Sequence, residues 1–272
     1  MTKVIKFNVM VSAMAFSIAF APTVTTTADE PIEVGKYRQL FVDDHVIDQM
    51  LGLVRTLHQP AKHVANPLIW PQQPWEGDLV WMYGSVIYDH RERLFKMWHQ
   101  CHSKADAGCG LYATSTDGLQ WEKPALGVIE YKGSKENNLI PWFGCGVIFS
   151  PDDPDPSRRF LSLYGNAEDK LARPRRPGRR GAGSADGLVF QALPGSQNVP
   201  GDIVGDNVIP VCFDELEQRY IAFGKVNRKS GEHMRRSVSV SFSKDYVEWT
   251  KVQTVLVPDA RDDELSVART AQ

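Results

Sequence analysis

The chain has 272 residues and a formal net charge of −2, with 42% hydrophobic and 24% charged residues. This composition is typical of a folded globular chain and excludes disorder over most of the length. A net charge so near zero offers no general attraction for nucleic acid or for an anionic membrane, so we expect neither as a partner.

The beginning of the chain has the layout of a secretory signal peptide. Two lysines give a basic start, an apolar run covers residues 9–21, and small residues end at Ala28. The apolar run is shorter than the roughly 20 residues that a membrane-spanning helix needs. We therefore predict that residues 1–28 are removed, with cleavage after Ala21 as the alternative, and that residues 29–272 form one mature domain. The predicted location is secreted or periplasmic, with no membrane attachment after removal of the signal.

Three segments of the mature chain share the same order of parts. Each has an apolar strand, a polar or acidic turn, a second strand with an aromatic residue, and a Ser-x-Asp motif that leads to another aromatic residue. The aromatic residues of the second strands are Phe95, Phe160 and Tyr220, at intervals of 65 and 60 residues. The Ser-x-Asp motifs occupy Ser115–Trp121, Ser184–Phe190 and Ser243–Trp249. Such a period indicates a repeat architecture.

The Ser-x-Asp motif has a structural explanation. An Asp at the start of a turn can accept hydrogen bonds from following backbone amides, and Gly118 or Gly187 can adopt a positive φ at low cost. Repeats of about 60 residues with four antiparallel strands have the size of propeller blades. The sequence therefore predicts an all-β fold, a β-propeller of four-stranded antiparallel blades, with about three blades after an N-terminal segment. A closed ring needs about four or more blades, so we expect this one to be incomplete or completed by other means.

The cysteines and histidines give no metal signature. Cys101 and Cys109 flank a short loop and are placed to pair in an oxidising compartment, whereas Cys145 and Cys212 are expected to be small buried residues. No CxxC, HExxH, P-loop, GxSxG or dinucleotide-binding motif occurs. We expect no catalytic metal and no cofactor, and these absences disfavour esterases, nucleotide-dependent enzymes and dehydrogenases.

Seven runs of the chain carry a family resemblance: Arg38–Ile47, Leu57–Lys62, Asn66–Leu68, Trp75–Glu76, Phe95–Trp98, Tyr112–Pro124 and Asn137–Asn138. These runs resemble secreted bacterial proteins related to the five-bladed propellers of glycoside hydrolase families 32 and 43. The resemblance covers residues 36–165 well and residues 205–260 moderately. It implies the N-terminal part of a five-bladed ring and a carbohydrate partner. The family's Asn-Asp-Pro, Arg-Asp-Pro and Glu-Cys motifs do not occur, so no catalytic residue carries over by motif.

Candidate catalytic residues therefore come from their positions in the repeat. Cleavage of a glycosidic bond uses two carboxyl groups on opposite sides of the bond. Glu76 and Asp78 lead into the inner strand of the first repeat, and Asp206 holds the equivalent place in the third. Asp44 is a further candidate near the start of the mature chain. Because neighbouring side chains on a strand point to opposite faces, only one of Asp43 and Asp44 can face a pocket.

Candidate substrate-binding residues lie beside these carboxylates. Trp75 is placed to stack on a sugar ring, and Asn207 follows Asp206. Arg55 and His58 belong to a segment that we expect to lie over a blade. The stretch 166–183 carries six basic residues where a regular third strand is expected. It has two interpretations: a solvated loop or a contact for an anionic polysaccharide.

Two functions remain in competition. The first is a secreted glycoside hydrolase-like enzyme that acts on polysaccharide through paired carboxylates near the propeller axis. The second is a non-catalytic carbohydrate-binding or scaffold propeller, including an inactive fragment. A sialidase is a third possibility, but no arginine cluster stands on the inner strands. Two carboxylates from different blades about 5–10 Å apart in one cavity would favour the hydrolase.

Overall fold

The computed structural model describes most of the chain after residue 45. The described residues are 35, 40–41, 43–44, 46–101, 109–141, 146–164, 180–196, 211–231 and 233–262. The chain forms two compact units, residues 1–60 and 61–272. In the first unit, the described residues form only turns, bends and extended segments. The second unit contains three antiparallel sheets. No described helix is long and apolar enough to cross a membrane.

The first sheet has its inner position shared by two short strands. Its strands are β1 (Val80–Trp81), β2 (Val86–Asp89), β3 (Leu94–Cys101), β4 (Cys109–Ser115) and β5 (Leu139–Ile140). Both β1 and β2 pair with β3, which is followed by β4 and β5 in the sheet order. The two inner strands are separated by residues 82–85. The inner edge of this sheet is therefore interrupted rather than continuous.

The second and third sheets each have four strands. The second consists of β6 (Val147–Phe149), β7 (Phe160–Tyr164), β8 (Arg180–Ser184) and β9 (Gln191–Ala192). The third consists of β10 (Val211–Asp214), β11 (Arg219–Ser230), β12 (His233–Ser243) and β13 (Gln253–Leu256). In both, neighbours in sequence are neighbours in the sheet. The third strand of the second sheet thus begins at the end of the basic stretch, and the part of that stretch before residue 180 lies outside the described residues.

Successive sheets pack face to face through apolar clusters. Trp98 of the first sheet is fully buried against Phe160 of the second, and its indole Nε1 donates to the carbonyl of Gly187 at 2.6 Å. Leu161 and Leu163 of the second sheet share a cluster with Tyr220 of the third. The inner strands β6 and β10 also contact each other. These are three consecutive propeller blades, which confirms the predicted all-β fold.

The three Ser-x-Asp motifs close the turn after the third strand of each sheet. In each, the Ser hydroxyl accepts a hydrogen bond from the amide three residues later, at 2.8–2.9 Å, and that residue has a positive φ. It is Gly118, Gly187 or Tyr246, with φ of 73°, 79° and 65° respectively. Hydrogen bonds from two following amides, those of Gln120 and Leu119, lower the pKa of Asp117. The motif therefore fixes the turn, and the third repeat does so without glycine.

The third turn also requires a glycine at one position of the neighbouring second sheet. The ring of Tyr246 is fully buried between Tyr220 and Trp249. Its backbone lies against β8, where a Cβ at Gly181 would overlap the Tyr246 carbonyl oxygen. Glycine at position 181 therefore lets the second and third sheets approach each other closely.

The cysteine predictions have mixed outcomes. Cys101 is disulfide-bonded, and Cys109 is the residue opposite it in the β3–β4 ladder. Cys145 lies outside the described residues. The expected burial of Cys212 is wrong, because it is an exposed free thiol on β10. The neighbouring Val211 packs into the cluster between the sheets, so the alternation of a strand turns Cys212 to the opposite face.

Candidate functional site

The Glu76 carboxylate lies just before the inner strand of the first sheet and is fully buried. Its Oε2 accepts hydrogen bonds from the amides of Gln72 and Gln73, at 2.6 and 2.9 Å. Lys123 Nζ lies 2.7 Å from Oε1 and 2.9 Å from Oε2, and it also donates to the carbonyl of Trp70 at 2.6 Å. Both carboxylate oxygens are therefore engaged within the protein. The Glu76–Lys123 ion pair joins the segment before β1 to the chain that follows the first Ser-x-Asp turn.

Trp75 precedes Glu76 in the chain, and its side chain is held by two contacts. Its indole Nε1 donates to Asn138 Oδ1 at 2.8 Å, and its ring meets Tyr131 edge-on at 6.0 Å. Asn138 is fully buried and donates in turn to the carbonyl of Tyr112 at 2.8 Å. The orientation of the Trp75 ring is thus fixed by buried groups, while part of the side chain remains accessible to solvent.

Asp78 is exposed at the start of the inner strand. It is separated from Glu76 by Gly77, which has a φ of 70°, and β1 begins two residues later. The two acidic residues thus have different environments although only one residue separates them. Glu76 is enclosed by donors, whereas Asp78 is exposed to solvent. The catalytic role of Asp78 stays a prediction.

Two aromatic residues of the interrupted inner strand were not predicted from the sequence. Trp81 and Tyr83 have ring centroids 5.9 Å apart with planes inclined at 49°. Trp81 Nε1 donates to Gln100 Oε1 at 2.8 Å, which fixes that indole, and Tyr83 is 43% exposed. The spacing of two residues places the side chains on the same side of an extended chain. That spacing, directly after Asp78, is the signal by which the sequence could have revealed them.

His99 is a buried histidine of β3 and was not assigned a role. It is 1% exposed, and neither ring nitrogen has a hydrogen-bond partner among the described residues. Burial, together with the smaller effect of the positive charge on Lys123, lowers its pKa to about 3. The imidazole is therefore neutral at physiological pH. The neighbouring Gln100 is also buried, and its Nε2 has no partner within the described part of the chain.

The other predicted residues of the described chain belong to the first unit. Arg55 forms an ion pair with Asp44 and donates to the carbonyl of Asp43 at 3.3 Å. The Asp44 and Arg55 side chains are 76% and 42% exposed, so this pair is a solvated one. His58 is exposed. The catalytic role of Asp44 and the binding roles of Arg55 and His58 stay predictions.

Asp206 and Asn207 lie outside the described residues, and their roles also stay predictions. In the part of the chain that the structure describes, no group of three or more His, Cys, Asp or Glu residues is placed to hold a metal ion. The site that can be built from the described residues therefore consists of one exposed carboxylate, Asp78, two aromatic rings and a buried ion pair.

No protein family matches the sequence, and no curated protein matches it. Solved structures with a similar fold include an N-acetylgalactosamine deacetylase from F. plautii in complex with blood group B trisaccharide (12% identity, TM-score 0.45, 71% of this chain). Others are a Bombyx mori GH32 β-fructofuranosidase (16%, 0.42, 63%) and an exo-inulinase from Aspergillus awamori (13%, 0.42, 64%). The chain spans 57%, 34% and 37% of these proteins respectively. Similarities at this level do not define an activity.

The packing of the three sheets and the placement of Asp78 define the class of protein. It is an all-β propeller whose first blade presents an acidic residue and an aromatic pair at its inner strand.

Proposed function

We propose that this protein is a secreted, glycoside hydrolase-like propeller that acts on polysaccharide, with Asp78 as one of two catalytic carboxylates. One observation carries the proposal: an exposed carboxylate lies two residues before the inner strand of the first blade and is followed by the Trp81–Tyr83 pair. A sugar ring offers apolar C–H faces that aromatic rings can cover, and its glycosidic oxygen needs a nearby carboxyl group.

The second carboxylate in this proposal is Asp206, at the equivalent point of the third repeat, with Asp44 as the alternative. One carboxyl group would protonate the leaving oxygen, and the other would act as nucleophile or activate a water. A separation of about 5–5.5 Å between the groups would give retention of configuration, and about 6.5–9.5 Å would give inversion. Trp75, Asn207, Arg55 and His58 are proposed as further contacts to the sugar.

Glu76 has a different place in the proposal. Its two oxygens already hold two backbone amides and the Lys123 ammonium, so proton transfer to a substrate would require breaking a buried ion pair. We propose it as a positioning residue that fixes the loop before β1, and hence the main chain of Asp78, rather than as the acid or base.

A non-catalytic carbohydrate-binding propeller is the second candidate, and the aromatic pair supports it equally. Stacking on Trp81 and Tyr83 requires no acid or base, so binding alone would be compatible with the described residues. The two candidates differ only in whether bonds are cleaved.

The test is a glycan screen on the mature protein, residues 29–272, that records both binding and released reducing sugar. For the hydrolase we expect Asp78→Asn to lower the rate of release about 10²–10⁴-fold while binding persists, because a carboxyl group in proton transfer contributes about that factor. Asp206→Asn should behave alike. Asp152→Asn, on a turn of the second blade where the carboxylate is 90% exposed, is the matched control and should leave release unchanged.

The outcomes separate the candidates. Binding without release by the unmodified protein would favour the carbohydrate-binding propeller. If neither Asp78→Asn nor Asp206→Asn changes the rate of sugar release, the proposed acid–base pair is wrong.

A further inference from the structure

One face of the third sheet carries large apolar side chains that are accessible to solvent. Paired residues of an antiparallel ladder share a face, as do residues two apart on a strand. The register therefore places Phe223, Met234, Val238 and Leu256 on the same side of the sheet. They are 37%, 68%, 36% and 63% exposed respectively. We call this side of the third sheet the open face, and such a grouping of exposed apolar side chains is typical of an interaction surface.

The open face corresponds to the face by which each earlier sheet contacts the next one. The residue three positions after the aromatic residue of the second strand is Trp98 in β3, Leu163 in β7 and Phe223 in β11. Trp98 packs against Phe160 of the second sheet, and Leu163 shares a cluster with Tyr220 of the third. Trp98 and Leu163 are both 0% exposed. Phe223 therefore occupies the position of an interface residue but is still accessible to solvent.

The first sheet does not offer a matching free face. Met97 and His99 alternate with Trp98 on β3 and so point away from the second sheet, and Leu111 lies opposite His99 in the ladder. These three side chains are buried. Leu111 belongs to a cluster against which Trp75 and Tyr131 of the same chain pack. This face is thus covered by the chain itself, so the open face of a second copy cannot pack on it in a head-to-tail contact. A pair in which both copies use the open face is isologous and closed.

The two ends of the open face carry exposed charges of opposite sign. Glu215 and Glu217 are exposed on the turn between β10 and β11. Lys229 and Arg236 are exposed on the open face near the far end of the β11–β12 hairpin. None of these four side chains forms an ion pair with a described residue. A two-fold axis perpendicular to the strands would place the carboxylates of one copy near the cations of the other at both ends of the contact. An axis along the strands would bring like charges together, which is unfavourable.

We propose that this protein forms a two-fold symmetric dimer in which the open faces of two copies pack together, with their β11 strands antiparallel. Sheets that pack face to face lie about 10 Å apart, and the side chains of their inner faces interdigitate. Phe223, Val238 and Leu256 form the apolar centre of the contact, and the charged ends lie at its rim. The inference does not depend on the proposed function, since the open face belongs to the third blade and Asp78 to the first.

The experiment is sedimentation equilibrium of the purified protein over a range of concentrations. At micromolar concentration the unmodified protein should have twice the mass of one chain. Leu256→Asp places a carboxylate in the apolar centre and should weaken association by at least about tenfold, because the charge would be buried without a partner. Leu119→Asp changes a side chain of the first blade that is 42% exposed, and this matched control should leave the mass unchanged.

Charge reversal tests the antiparallel arrangement. Glu215→Lys/Glu217→Lys and Lys229→Glu/Arg236→Glu each place like charges together at both ends of the contact. Each variant alone should associate about 10- to 100-fold more weakly than the unmodified protein, as expected for several exposed ion pairs turned from attractive to repulsive. An equimolar mixture of the two variants should dimerise again, because every facing pair of charges is then opposite in sign.

The control for charge reversal is Glu130→Lys/Glu136→Lys. It makes the same change in net charge at two exposed residues of the first blade and should leave association unchanged. Circular dichroism of every variant establishes that its sheets are intact.

Three results would overturn the proposal. A monomer at every concentration would show that a second copy does not cover the open face. A dimer that withstands Leu256→Asp would place the contact elsewhere on the molecule. A mixture of the two charge-reversed variants that stays monomeric would exclude the antiparallel arrangement of the two open faces.

Discussion

The buried Glu76–Lys123 ion pair leads to the sharpest stability prediction. We consider the substitution Glu76→Gln, which keeps the size of the side chain and removes its charge. The Glu76 side chain is 0% exposed and that of Lys123 is 9% exposed, so the substitution leaves an ammonium without its counter-ion in the interior. Removing one partner of a buried ion pair costs about 3–5 kcal/mol. For a domain of this size that corresponds to a decrease in Tm of about 6–20 °C.

The assay is urea unfolding followed by fluorescence of the seven tryptophans. Glu122→Gln is the matched control, because it removes an exposed carboxylate next to Lys123 and should change the free energy of unfolding by less than about 0.5 kcal/mol. Lys123→Met completes a double-mutant cycle with Glu76→Gln. We expect a coupling free energy of about 1–3 kcal/mol, since the two groups share one interaction.

Two results would refute this reasoning. The first is a Glu76→Gln variant whose free energy of unfolding equals that of the Glu122→Gln control. The second is additivity of the two substitutions in the cycle, which would show that the ion pair contributes no net stability. A variant that folds normally, binds glycan and releases no sugar would instead assign Glu76 to the chemistry itself.

Three further predictions concern buried positions. His99 has a folded pKa of about 3, below its unfolded value of 6.5, so its neutral form stabilises the protein at neutral pH and this stability is lost as pH falls below 6.5. Between pH 6 and 5 we expect a loss of about 1 kcal/mol in the free energy of unfolding. Urea unfolding of His99→Leu should therefore show a flatter pH dependence than the unmodified protein, and parallel profiles would contradict this. Gly187→Ala places a Cβ 2.8 Å from Trp98 at φ 79°, whereas Gly118→Ala meets only an ordinary contact at 3.6 Å at φ 73°. In thermal unfolding we expect Gly187→Ala to lower the free energy of unfolding by about 2–4 kcal/mol and Gly118→Ala to lower it by about 1–2 kcal/mol. Equal losses would argue against an overlap with Trp98 at position 187. Tyr246→Gly relieves a positive φ but removes a fully buried ring, so we expect a net loss of about 2–4 kcal/mol by the same measurement, and a gain in stability would show that backbone strain dominates.

The repeat in the sequence predicted the sheets well because each strand carries a local signal. Phe95, Phe160 and Tyr220, the aromatic residues of the predicted second strands, lie in β3, β7 and β11. The repeat does not reveal the length of β11, which runs from Arg219 to Ser230. Beyond Phe223 both faces of the hairpin carry polar or charged residues, so the alternation that marks a half-buried strand disappears.

The candidate site was predictable only where it follows the repeat. The position of Asp78 before the inner strand comes directly from the alignment of the three units. The environment of Glu76 does not, because its partner Lys123 is 47 residues away and no local pattern connects them. The bond from Trp81 to Gln100 spans 19 residues across two strands and is invisible for the same reason. Sequence periodicity locates strands, whereas the pairing of polar groups across them depends on packing.

The contact between Gly181 and the Tyr246 turn has a consequence for the evolution of the repeat. Duplicated blades are interchangeable only while the surfaces between them stay equivalent. Here the second blade has glycine at position 181, where the backbone of the third blade's turn lies against it, and that turn has tyrosine where the other two turns have glycine. A copy of the first blade in third place would not bring the Tyr246 ring into the cluster that it shares with Leu161 and Leu163. The second and third blades therefore fit each other at this contact, and the residues that make it differ from those at the same positions of the other blades.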